Sequence, residues 1–305
     1  MQFSTRRLFL FILVIVILFV TVRHWRENTP TVVAKAAVLM DANNGKLLYS
    51  LNSDTPLPPA SMSKMMTEYI VLGKIHDGSL KWDDRVPITN ARLEEEAAKI
   101  AVHHGDTLTI HDLYQAMVIS SANNAAVTLA EEIAGSESNF AELMNQKAKE
   151  LGLSDDAHFV NATGLEGTQS TVMTAHDVAQ LAYRLINDYP EVLETTRLSS
   201  SQLDYDGIRV TSTNMMLTSN NPDIQFEGVD GLKTGYTNQA GYCFAGTAKL
   251  GNKRLISVVM GASDETARFI ETKKLLAYGF EKWYIPPFLT NIHQFINTYI
   301  RHVGV

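Results

Sequence analysis

Ser61-Met62-Ser63-Lys64 sets a hydroxyl three residues ahead of an amine, a spacing that puts both on one helix face, one turn apart. The chemistry on offer is attack by an activated serine. At a helix start, unpaired N–H groups and the positive dipole end favour a developing oxyanion. Lys64 serves as the base only if burial or a second cation lowers its pKa. Alone the motif is weak, since S-x-x-K arises about once by chance in a chain of this size and a capping serine beside a solvated lysine has the same spelling. Lys233-Thr234-Gly235 supplies a second cation, another hydroxyl, and a glycine past which a ligand backbone can approach an edge strand. A surface turn is the plain alternative, and the glycine spacing of a phosphate loop is missing. Ser121-Ala122-Asn123 adds a hydroxyl and an amide able to bind a peptide carbonyl. S-x-N recurs at Ser50, Ser212 and Ser219, so only its place between the other two motifs singles out Ser121.

Elements that position these residues follow from periodicity. Ala36 to Met40 and Lys46 to Leu51 read as strands around Asn43-Asn44-Gly45, a hairpin signal. Beyond the stiff Leu57-Pro58-Pro59-Ala60 connector, a buried helix is expected to begin at Ser61, with Met62, Met65, Met66, Tyr69, Ile70 and Leu72 at helical spacing. That methionine stripe reads as core packing. Helices follow around 110–118, 125–134, 140–151 and 177–186, and beyond Gly228 strands return at 242–248 and 254–260 before a helix over 265–278. Strands at both chain ends flank a helical middle. The fold class expected is α/β, one antiparallel sheet formed by both chain ends and flanked by helices, without parallel crossovers.

At 305 residues, 45% hydrophobic and 19% charged, the chain is long and apolar enough for a sizeable core. Lys plus Arg number 26 against 33 Asp plus Glu, a net charge of −7 without a basic block, which argues against nucleic acid. One cysteine, Cys243, excludes an intramolecular disulfide and a cysteine metal cluster. No H-E-x-x-H occurs, and His103 and His104 read as loop residues, so neither a metal nor another cofactor is expected.

Arg6 and Arg7 precede an apolar run from Leu8 to Val22, then Arg23, His24, Trp25 and Arg26, which reads as an export segment. The run is short for a spanning helix, but no small-x-small triplet follows closely, which favours an uncleaved anchor. Three parts are expected: residues 1–30 as signal or signal-anchor, 31–285 as the catalytic domain, and 286–305 as an amphipathic helix. That tail aligns Phe288, Leu289, Ile292, Phe295, Ile296, Tyr299, Ile300 and Val303 on one stripe. Docking on the domain and lying in a membrane interface both fit it.

The three motifs in this order, within the stretches PASMSKMMT, SSANNAA and VDGLKTGYTNQAGY, resemble the active-site serine family of penicillin-binding D,D-peptidases. The resemblance is to its low-molecular-mass D-alanyl-D-alanine carboxypeptidases and covers roughly 34–280. It implies a β-lactamase/transpeptidase-like fold and an extracytoplasmic bacterial enzyme. Its partner would be the peptidoglycan stem peptide ending in D-Ala-D-Ala, from which it removes the last residue, with β-lactams as inhibitors. It further implies Ser61 as the acylated nucleophile, Lys64 as its base and Ser121 as proton relay to the leaving D-alanine. Asn123 would hold the substrate amide, Lys233 the positive potential and Thr234 the substrate carboxylate, with Gly235 completing that triplet. The N–H groups of Ser61 and Tyr236 would form the oxyanion hole, and Arg268 would lie near the terminal carboxylate. Ala122 stands where many members have glycine, Tyr236 where some have histidine, and the short stretch after Phe280 makes a single-domain member the expectation. A D,D-transpeptidase shares every residue named; a class A β-lactamase needs a glutamate in E-x-x-L-N, which is missing, Glu166 lying in Gly164-Leu165-Glu166-Gly167. An uncleaved anchor predicts that the intact mass of the cellular protein begins at Met1 or Gln2; a mature N-terminus near residue 30 contradicts it.

Overall fold

The computed structural model describes residues 29–88, 97–282 and 284. The export segment (1–28) and the tail helix expected over 286–305 lie outside the described residues, among which no helix is long and apolar enough to cross a membrane.

Strands β1 (Ala36–Asp41) and β2 (Leu47–Leu51) form the hairpin that Asn43-Asn44-Gly45 signals. Late in the chain, β7 (Val229–Thr237), β8 (Gly241–Leu250) and β9 (Lys253–Ala262) return to it, giving one antiparallel sheet in the order β2-β1-β9-β8-β7. The first and last strands thus share one sheet, as the two-ended pattern requires. Residues of β1 alternate between two apolar layers: Ala36, Val38 and Met40 enter the main core, whereas Ala37 and Leu39 pack with Leu255, Val259, Leu275 and Leu276. With a period of two and both faces covered, every position must be apolar. That is why the segment reads as a continuous run rather than an alternation.

Helix α1 (Lys64–His76) lies in the main core, joined there by α2 (Ile110–Ser120), α3 (Asn123–Ala134), α4 (Glu137–Glu150) and α5 (Ala175–Asp188). Short α6 (Val192–Thr196) and α7 (Met215–Thr218) precede β7, and α8 (Ala267–Gly279) covers the second face of the sheet. The methionine stripe is core: Met62, Met65 and Met66 are fully buried. One boundary differs from the expectation of a helix beginning at Ser61. A 3₁₀ turn over Ala60–Ser63 comes first, closed by Met62 N–H donating to the carbonyl of Pro59 at 3.2 Å, and the α-helix starts at Lys64. The middle of the chain also holds two small hairpins, β3 (Arg85–Pro87) with β4 (Thr107–Thr109) and β5 (Ser200–Gln202) with β6 (Arg209–Thr211). Three-residue strands are too short for alternation to reveal them.

Strand β7 carries Lys233-Thr234-Gly235 at the sheet edge, paired only to β8, with Lys233 opposite Ala245 and Gly235 opposite Cys243. A clamp across three strands holds it. From β9, Arg254 donates through Nη1 and Nη2 to Asp230 of β7, both at 2.7 Å, and its Nη1 also reaches Thr247 Oγ1 on β8 at 3.0 Å. Asp230→Ala removes both carboxylate acceptors from a mostly buried guanidinium and is expected to cost about 2 kcal/mol. Urea unfolding checks this; a change of a few tenths would remove the clamp from the list of restraints on β7.

Candidate active site

Ser61 enters the site through Ala60, whose φ of +49° is a left-handed conformation that a β-carbon disfavours. Two glycines make room for that turn. A Cβ at Gly164 would lie 2.1 Å from the Ala60 carbonyl oxygen, and a Cβ at Gly235 would lie 2.8 Å from the Pro59 oxygen and 3.1 Å from the Ser61 nitrogen. The sequence suggested that Gly235 admits a ligand backbone; the segment that approaches it here is the chain's own Pro59–Ser61 turn. The same closeness brings the Ser61 N–H beside the strand that carries Tyr236, the partner expected to complete an oxyanion hole.

Lys64 is fully buried, and its Nζ lies 2.9 Å from Ser61 Oγ, 2.8 Å from Asn123 Oδ1 and 2.7 Å from the Thr163 carbonyl. Two of these neighbours can only accept. Asn123 turns its oxygen toward the lysine because its Nδ2 donates to the Ala98 carbonyl at 2.9 Å. A neutral amine has two N–H donors and one lone pair, so donating to Asn123 and Thr163 leaves the lone pair facing the Ser61 hydroxyl. Burial, then the nearby Lys233 ammonium, hold the Lys64 amine well below the ordinary lysine range, with Glu68 and Glu137 acting the other way. With its pKa lowered in this way, the amine lies within hydrogen-bond reach of the Ser61 hydroxyl, an arrangement that can take up its proton.

Ser121 terminates α2 in a left-handed conformation, φ +63°, and the next N–H, of Ala122, donates back to Ala116 O at 3.1 Å. This sharp stop lets α3 begin at Asn123 and aim that amide at Lys64. Asn123, expected to hold a substrate amide, is here the residue that orients the lysine. Lys233 is 1% exposed and its Nζ donates to the Thr234 carbonyl at 3.3 Å. Burial lowers its pKa first, Glu68 opposes, and the Arg268 charge lowers it further. Thr234 Oγ1 and Thr213 Oγ1 lie 2.6 Å apart. Arg268, also buried, donates to the Gly235 carbonyl at 3.2 Å and lies over the rings of Tyr242 and Phe269. Its side chain thus supports the strand bearing the triplet. The Tyr236 side chain is half exposed and packs on Tyr242.

Sequence reasoning missed Thr163, Thr213 and Glu68. Thr163 presents its carbonyl because Asn161 Oδ1 accepts from the N–H groups of Thr163 and Gly164 at 3.1 and 2.7 Å; an Asn-x-Thr-Gly turn spelling was the available signal. Glu68 sits four residues after Lys64 on α1, a helical neighbour that spacing alone identifies. Among the described residues His111, Asp112 and Asp204 bring possible metal-ligand atoms within 4.8 Å. The Asp112 oxygens, however, already accept from the N–H groups of Asp204 and Tyr205 at 2.8 and 3.2 Å.

A family model described as D-alanyl-D-alanine carboxypeptidase, Peptidase_S11, matches residues 23–264. The D-alanyl-D-alanine carboxypeptidase DacF of Bacillus subtilis is 38% identical over 258 residues, 83% of this chain and 64% of that protein. DacC of Escherichia coli, of the same description, is 37% identical over 259 residues, 83% and 62% of the two chains. The chain spans less than two thirds of the length of these relatives. Among solved structures, penicillin-binding protein D2 from Listeria monocytogenes in its cefotaxime-bound form superposes with a TM-score of 0.76 at 39% identity, over 83% of this chain and 100% of that one. The peptidoglycan synthesis regulatory factor PBP3 of Streptococcus pneumoniae gives 0.77 at 37% identity, over 83% and 72%. The fold is that of the penicillin-binding proteins, with the antiparallel sheet and flanking helices expected from the sequence.

Gly164→Ala forces the Ala60 turn to move and is expected to slow acylation of Ser61 by a β-lactam about a hundredfold, since a displacement of roughly 1 Å costs that much. A wild-type acylation rate in that variant would show that the glycine cage does not position the nucleophile.

Proposed function

Because this chain belongs to the D-alanyl-D-alanine carboxypeptidase family Peptidase_S11, we propose that it is an extracytoplasmic, membrane-attached serine D,D-carboxypeptidase. Its substrate is the peptidoglycan stem peptide, and it removes the terminal D-alanine through an acyl-enzyme on Ser61. The single observation that carries this reading is the donor and acceptor arrangement around Lys64, which leaves an amine lone pair for the Ser61 proton.

Ser61 Oγ attacks the penultimate D-alanine carbonyl while its proton passes to Lys64, and the Ser61 and Tyr236 N–H groups hold the oxyanion. The tetrahedral species collapses as the C–N bond breaks. Ser121 relays the proton to the departing D-alanine amine, and water then attacks the ester to regenerate Ser61. Lys233 and Thr234 hold the substrate's terminal carboxylate from the edge strand, with Arg268 behind Gly235. β-Lactams acylate the same serine. Attachment is through residues 1–30, with the amphipathic sequence of 286–305 as a second candidate contact, and 31–285 is the catalytic unit.

A D,D-transpeptidase would use the same acyl-enzyme with an amine in place of water. A class A β-lactamase would need a deacylating glutamate in E-x-x-L-N, which the sequence lacks, and that absence favours the peptidase reading.

Intact mass after incubation with penicillin is expected to show one persistent adduct, absent in Ser61→Ala, with D-alanine release lost in both Ser61→Ala and Lys64→Ala. Rapid destruction of the drug without a lasting adduct would point to a β-lactamase. The pH dependence follows from the two lysines: the neutral form of Lys64 is active and its pKa is depressed, so acylation rises with pH as Lys64 deprotonates. The rate falls again as Lys233, whose pKa is also lowered, gives up its proton. A pH-independent acylation rate contradicts the assigned roles.

A further inference from the structure

Glu68 is a fully buried acidic group beside the site lysines, and neither the motifs nor the mechanism uses it. It follows Lys64 by four residues on α1, is 1% exposed, and neither carboxyl oxygen has a hydrogen-bond partner among the described residues. An orphaned buried carboxyl is costly unless an opposite charge compensates it. Two buried cationic side chains stand within electrostatic reach, Lys233 from β7 and Lys64 from its own helix. The Tyr114 phenol on α2, itself buried and without a partner, also feels the charge at Glu68. Glu137 on α4 acts on Lys64, Arg268 on α8 acts on Lys233, and Glu191 acts on Tyr114.

Taken together these charges pose a problem that only one group in the site can solve. The mechanism needs Lys64 as an uncharged amine and Lys233 as an ammonium ion, although both are buried side by side and repel when both are protonated. Burial and the Lys233 charge favour the uncharged form of Lys64, which can still donate to Asn123 and Thr163 and accept from Ser61. Lys233, in contrast, has no carboxylate hydrogen-bonded to it among the described residues; its Nζ donates only to a backbone carbonyl there. Arg268 adds a repelling positive charge. The remaining source of negative charge acting on Lys233 is Glu68.

We propose that Glu68 is a positioning residue for the reaction, the buried counter-ion that keeps Lys233 an ammonium ion while Lys64 remains the uncharged base. It touches no reacting atom and acts through the lysine on the edge strand. Burial raises the Glu68 carboxyl to about 8 even though the two lysines pull it down, so its ionisation is tied to theirs and the three groups titrate as a unit.

This inference rests on the peptidase reading, and the experiment separates the two. The full chain is compared with Glu68→Gln and Glu68→Met, which remove the charge, and with Glu68→Asp, which keeps it; thermal melts establish that each is folded. The rate of Ser61 acylation by penicillin is followed by intact mass across the pH range. Loss of the carboxylate is expected to move the alkaline limb, where Lys233 deprotonates, toward acid by about one unit, a roughly tenfold loss of rate on that limb. Glu68→Asp is expected to return the limb toward its wild-type position. Whichever of the Gln and Met variants folds serves as the test. Limbs that stay in place in a folded charge-removing variant overturn the proposal, as does a Met variant whose profile matches that of Asp. A wild-type chain that forms no Ser61 adduct would instead overturn the peptidase reading itself.

Discussion

A single buried amine with three oxygen neighbours organises this molecule. Lys64 Nζ, itself fully buried, sits among Ser61 Oγ, Asn123 Oδ1 and the Thr163 carbonyl. An ammonium ion could also serve the three with its three N–H donors, but burial and the nearby Lys233 charge favour the uncharged amine, whose lone pair can receive the Ser61 proton. The three partners come from three separate segments: the 3₁₀ turn before α1, the start of α3, and the Asn161 turn. Each requires an unusual local backbone. Ala60 and Ser121 are left-handed, and Gly164 leaves space for Ala60 that no β-carbon permits. The strain is local and is offset by the packing around it, which over-determines these turns.

Charge balance is the second constraint, and it comes from burial. Lys64, Lys233, Glu68 and Arg268 are all nearly inaccessible to solvent, so each must be neutralised by another or by losing its own charge. Lys233 lies on a strand that, among the described residues, has one unpaired side, while its amine stays inside. The clamp from Arg254 to Asp230 and the hydrogen bond from Arg268 to Gly235 hold that edge from behind. Fold and site thus share one element: β7 both ends the sheet and lines the Pro59–Ser61 turn.

Much of this was legible in the sequence, for physical reasons that differ by element. The β1–β2 hairpin, the methionine face of α1 and the return strands follow from local periodicity and turn chemistry, so one sequence window contains the signal. Ser61 and Lys64 were readable because their contact is one helical turn long. Thr163 was not, since it contributes a backbone oxygen, and any residue type has one. Gly235 was recognised as special but for a different reason, because what approaches it is a segment far away in the chain. Asn123 likewise was placed in the site, while its grip on Lys64 depends on a tertiary contact across 59 residues. The short hairpins escaped because three residues carry no period.

The ionisation of Lys64 is the most direct test of this arrangement. Titration of the isotopically labelled lysine side chains by NMR, with the Lys64 signal assigned by its loss in Lys64→Arg, reads it without any substrate. Lys64 is expected to titrate far below the solvent-exposed lysines, which lie at about 10.4. A Lys64 signal that titrates with those surface lysines would mean that the amine is a cation at rest, and the role given to it as the proton acceptor for Ser61 would be wrong.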